Sequence, residues 1–129
     1  MAPITATYTA LLLGLVTVLA LNTSRLRVRS RRAPERVAKE AIGRASRAHG
    51  NTLEHTLPLL LLLFFCESYG VAASLLCSIG AAFLVARLLY VYGMLTRPAS
   101  PPMFAGATVT YALELLLVGL LARALACGA

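Results

Sequence analysis

A chain of 129 residues has room for one domain. Its composition, 59% hydrophobic and 13% charged with no Trp and no Asp, holds more apolar surface than a soluble domain of this size can hide, so the excess must face lipid. The net charge of +7 could suggest nucleic acid, but its distribution argues otherwise: nine of the twelve basic residues lie between Arg25 and Arg47, beside apolar runs, with no aromatic platform or recognition motif among them.

The first membrane span is expected over about residues 4–24. The stretch from Ile4 to Asn22 carries no charge, and its length at ~1.5 Å per residue comes to about 28 Å, close to the hydrocarbon thickness. A cleaved signal peptide would place positive charge before its apolar core; here the charge follows, which fits a retained span. Residues 25–44 (RLRVRSRRAPERVAKEAIGR) read as a basic loop, interrupted by Pro34 and helix-compatible from Glu35, placed to meet anionic headgroups. A second span is expected over about 45–66, its helix starting in water. The residues Glu67-Ser68-Tyr69-Gly70 read as a turn, and a third span follows over about 71–95. Residues 96–102 (TRPASPP) read as a loop, because three prolines oppose a continued helix, and a fourth span runs over about 105–126. The fold class is therefore all-α, an integral membrane four-helix bundle. The basic loop orients it with that loop and the Arg97 loop in the cytoplasm and both termini outside; Arg123 at the outer end disagrees but is outweighed. Cys66, Cys77 and Cys127 form no CxxC and no disulfide framework, and are expected to be buried small hydrophobes.

The second helix holds polar residues where apolar ones are expected. At 100° per residue, with Arg47 as zero, Asn51 falls at about 40°, Glu54 at about −20° and Pro58 at about 20°. Arg44 falls at about 60° and His55 at about 80°, while His49 points away at about 200°. A cation, an amide and a carboxylate thus share one face. The same angles argue against a metal site, since His49 and His55 do not share a face with Glu54. In the third helix Arg87 shares a face with Phe83, Tyr90, Val91 and Met94, with Tyr92 opposite; in the fourth, Thr110, Tyr111 and Glu114 go together. Ionisable groups at membrane depth face a bundle interior or a cavity and pair there. Arg87 pairing with Glu54 or Glu114, and Asn51 bonding across helices, would explain some of them as structural. The whole set, gathered toward the cytoplasmic half, better describes a polar pocket. Its cations suit carboxylates or phosphates and its carboxylate suits an amine, as in a small zwitterionic peptide with excess negative charge.

On these residues the sequence resembles the MAPEG family, the membrane-associated proteins of eicosanoid and glutathione metabolism. The likeness rests on RAHGNTLEHTLPL (residues 47–59) with its R-x-x-x-N-x-x-E-x-x-x-P core, on the turn at 67–70, and on FLVARLLYVYGM (residues 83–94). Short loops suggest its bacterial branch, hence a bacterial inner membrane. The resemblance implies a homotrimer binding glutathione between subunits on the cytoplasmic side. It assigns Arg47 to a carboxylate, Glu54 to the α-amine and Asn51 to a backbone amide of glutathione, with Arg87 and Tyr90 matching the third-helix pattern. One of Arg25, Arg27 and Arg29, Arg27 foremost, matches the basic residue that ends the first helix. Tyr90 and Arg97 are the catalytic candidates.

The sequence departs from the family at Ala107-Thr108, where one catalytic member has Arg-Ser, at Met94, where some have tyrosine, and at Gly50, where others have arginine. The expected function is a glutathione transferase or peroxidase acting on lipophilic electrophiles from the bilayer. Alternatives are a non-catalytic protein of the same fold that binds lipid or glutathione, and a small transporter with Glu54 and Glu114 in a proton relay, against which there is no paired repeat.

Overall fold

Four helices account for nearly all of the 2–126 stretch that the computed structural model describes. Helix α1 covers Pro3–Arg32, α2 covers Lys39–Ser68, α3 covers Ala73–Thr96 and α4 covers Pro101–Ala126. A 3₁₀ turn, Pro34–Arg36, joins the first two. Cys127 lies outside the described residues.

Local chemistry sets the helix limits. Pro3 sits in the first turn of α1, where its missing N–H costs no hydrogen bond. Nothing in RLRVRSRR breaks a helix, so α1 runs on through the first part of the expected basic loop and stops just short of Pro34, with Arg29, Arg31 and Arg32 in its last turn beside the negative end of the helix dipole. At 30 residues α1 is about 45 Å long, well over the ~30 Å of a hydrocarbon core. The turn that follows α2 passes through Gly70, whose φ of 75° suits a residue without Cβ. Helix α4 begins at Pro101, several residues before the expected span. A proline costs a hydrogen bond in a helix interior but none in the first turn, so Pro101 and Pro102 open α4 instead of extending the loop.

Helices α3 and α4 make the most extensive contact, and α1 packs chiefly on α2. The α3–α4 approach is close because of two glycines. A Cβ on Gly106 would meet the Ala86 carbonyl and lie 2.7 Å from the Tyr90 nitrogen; one on Gly93 would lie 2.7 Å from the Met103 nitrogen. One apolar cluster gathers Leu12, Leu59, Leu63, Leu76, Phe83 and Leu117; a second, toward the other end, gathers Leu19, Ala48, Tyr90, Val91 and Met94. Cys66 is buried in the first cluster as expected, whereas Cys77 is exposed, contrary to expectation, on the outward side of α3.

Helices α1, α3 and α4 are long and apolar enough to cross a membrane, with large apolar side chains such as Leu21, Leu115 and Tyr92 facing outward. The chain is an integral membrane protein. Helix α2 is not among these three because its first half carries the polar residues; toward the bundle it buries Ala45, Ala48, Thr52, Thr56, Leu59, Leu60, Leu63 and Cys66.

The ends of α1 and α2 are tied by Glu67. Its Oε1 accepts from the Ile4 N–H at 2.9 Å, and its Oε2 accepts from the Thr5 N–H at 2.8 Å and the Thr5 hydroxyl at 2.7 Å. Those N–H groups are orphans of the first turn of α1, whose Ala2 cap supplies no side-chain acceptor. Partial burial raises the pKa of this carboxyl, but the bonds from Thr5 and Ile4 outweigh it, and the net pKa lies below the ordinary value.

Candidate functional site

At the end of the bundle where α1 finishes and α2 begins, an open groove of about 360 Å³ is lined by Ser46, Arg47, Gly50, Asn51 and Glu54 from α2 and by Tyr90 from α3. The helical face predicted from spacing is therefore present. Arg47 and Glu54 are exposed on it, seven residues or about 10 Å apart along the axis. Pro58, one turn on, carries no N–H, so the Glu54 carbonyl lacks its usual helical donor.

Arg87 lies beneath the groove and not in its wall. It is fully buried, and among the described residues none of its hydrogen bonds is to a carboxylate. Nη1 donates to Asn51 Oδ1 at 3.0 Å, while Nη2 donates to the Gly106 carbonyl at 3.2 Å and to the Thr110 hydroxyl. Its guanidinium carbon stands 4.9 Å from the Tyr90 ring centroid and 5.6 Å from that of Phe83. Arg87 thereby ties three helices together and orients both Asn51 and Tyr90. The pairing with Glu54 or Glu114 that membrane depth suggested does not occur; hydroxyl, amide and carbonyl acceptors take the two terminal nitrogens instead, and Nε is buried without a partner among the described residues.

Glu114 pairs with His55. Nδ1 of the imidazole lies 3.0 and 3.3 Å from the two Glu114 oxygens, and the Tyr111 ring meets the imidazole edge-on at 5.0 Å. Spacing along α2 alone left His55 at the margin of the polar face. The available signal was Glu114, a carboxylate at membrane depth that requires a partner. Among the described residues, no three His, Cys, Asp or Glu side chains come together.

The remaining candidates separate. Arg27 reaches toward the groove, its Nη2 3.4 Å from the hydroxyl of the groove residue Ser46. Arg25 lies elsewhere, between α1 and α3. Arg97 caps the end of α3, exposed, and does not line the groove. Arg44 and His49 lie off the groove, with Arg44 Nε and His49 Nδ1 buried and unpartnered.

A sequence profile described as the MAPEG family matches residues 5–123, nearly the whole chain. The chain belongs to the MAPEG family. No curated protein matches it closely enough to report. The match takes in all four helices of this MAPEG protein and every residue of the groove.

Proposed function

We propose that this MAPEG protein binds glutathione in the α2–α3 groove and presents its thiolate to lipid-soluble electrophiles or peroxides. The observation that carries this reading is one groove that holds an exposed cation, an exposed carboxylate, an amide and a phenol. An extended tripeptide spans about 10 Å, the separation of Arg47 and Glu54 along α2. In this reading Arg47 receives a carboxylate of glutathione and Glu54 its α-amine. Asn51 uses its amide N–H₂ toward the peptide, because its Oδ1 is taken by Arg87. Tyr90, steadied by Arg87, offers its hydroxyl to the thiolate, and Arg27 adds positive charge at the rim. A groove open on one side suits closure by a second copy, in keeping with a homotrimer. The positive residues around it suit a cytoplasmic orientation, with the termini outside and a bacterial inner membrane as the setting.

A second reading is a protein that binds without catalysing. It is favoured by the start of α4, PPMFAGATVT, which has no basic residue, and by the position of Arg97 away from the groove. A thiol one pKa unit lower needs about 1.4 kcal/mol of differential stabilisation from a nearby cation.

The deciding experiment is glutathione binding to purified protein in detergent, by calorimetry, beside Arg47→Ala and Glu54→Ala. Each variant is expected to weaken binding about tenfold or more, the effect of removing one charge-assisted hydrogen bond. Absence of binding by folded wild-type oligomer would refute the glutathione reading. Binding without the thiolate's ultraviolet absorbance would favour the second.

A further inference from the structure

Helices α1 and α3 touch at one end, where the Tyr8 ring rests on Gly80 and the Tyr8 hydroxyl donates to the Cys77 carbonyl at 2.7 Å. Toward the other end a groove of about 740 Å³ lies between them, within the ~300–1,000 Å³ of ordinary ligand sites. Leu15, Leu19, Val91 and Leu95 give it apolar walls, and Asn22 and Arg25 close its end. Arg25 points to this side of α1, whereas Arg27, two residues on, turns toward Ser46 on α2. The two arginines thus serve separate places, and the α1–α3 groove is independent of the one that holds Arg47 and Glu54.

The groove has the polarity of an amphiphile. From Leu15 to Arg25 it runs about 15 Å along α1, half of a ~30 Å hydrocarbon core, so an acyl chain lying in it would extend from the bilayer midplane to the headgroup level. At that level stand a guanidinium and an amide, the donors that a phosphodiester accepts from, with no acidic side chain in the lining. We infer that the α1–α3 groove is a binding site for one anionic phospholipid of the leaflet on the Arg25 side, its acyl chain between α1 and α3 and its phosphate on Arg25 and Asn22.

The chain has no Trp, so Val18→Trp, at an exposed position lining the groove, supplies a single fluorophore. The protein is reconstituted into vesicles containing chain-brominated phosphatidylglycerol or chain-brominated phosphatidylcholine, and quenching is followed against mole fraction. Half-maximal quenching is expected at an about fivefold lower mole fraction of phosphatidylglycerol, the preference that one basic residue at the headgroup level confers. Adding Arg25→Gln should abolish that preference, and adding Arg29→Gln, exposed near the end of the same helix, should leave it. Equal quenching by both lipids would overturn the site in favour of unselective lipid contact. Quenching by neither would mean that another copy of the chain covers the groove. Equal loss with Arg29→Gln and Arg25→Gln would reduce it to the diffuse field of the basic segment. A reporter protein that does not remain monodisperse is replaced by Leu95→Trp, on the opposite wall.

Discussion

Arg87 shows how a single side chain can be structural and still shape a binding surface. Its planar fork serves acceptors on α2 and α4 at once from its own place on α3, a geometry that the compact ammonium of lysine does not reproduce. Arg87→Lys should therefore lower stability in detergent by about 1–3 kcal/mol, read as an earlier thermal midpoint, and should also weaken glutathione binding by releasing Asn51 and Tyr90. An unchanged midpoint would mean that the other contacts of the helices suffice. At the opposite end of the bundle Glu67 makes stability depend on pH. Its folded pKa lies below the unfolded one, so its contribution is complete above the ordinary glutamate range near 4.3 and is lost as pH falls through the lower folded value. Thermal midpoints should drop below about pH 4, and Glu67→Gln should be less stable at neutral pH and flatter across that range. A parallel pH profile for the variant would show that other carboxyls govern the acid limb.

At the scale of helices, the α3–α4 seam depends on the absence of side chains. Gly106→Ala would force a methyl against the backbone of Ala86 and Tyr90, neither of which can swing away, so we expect a loss of about 1–3 kcal/mol and a displaced Arg87 acceptor. Gly14→Ala, inside α1 where a Cβ meets open space, is the control that should not lower the midpoint and, by helix propensity, should raise it slightly. The helices themselves were readable because apolar runs of membrane length are long and their periodicity is simple. Their ends were less so. The basic segment looks like a loop by charge, yet Arg25 through Arg32 favour a helix and continue α1. The prolines at 101 and 102 look like breakers until their place in a first turn is known. The polar face of α2 was legible because 100° per residue relates Arg47, Asn51 and Glu54 within one helix. Arg87 to Thr110 and His55 to Glu114 were not, because contacts between helices depend on rotation and depth that no single-helix pattern contains.

For the molecule as a whole, the groove is open on one side and α1, α3 and α4 turn apolar faces outward. A trimer is the assembly we expect, and mass measurement of the intact complex released from detergent should give three copies; a monomer that binds glutathione fully would rule out a shared site. The bond between Glu67 and the start of α1 has a bearing on biosynthesis. The acceptor for the first turn of α1 is supplied by the last turn of α2, so the ribosome must have released all of α2 before the first helix can be closed off. The polar first half of α2 is the part an insertion machine would be slowest to accept alone. Entering the membrane as a hairpin, with α1 as escort and Glu67 as the clasp, resolves both difficulties in one step. Chains truncated within α2 should then resist extraction from the membrane less well than chains that reach past Gly70.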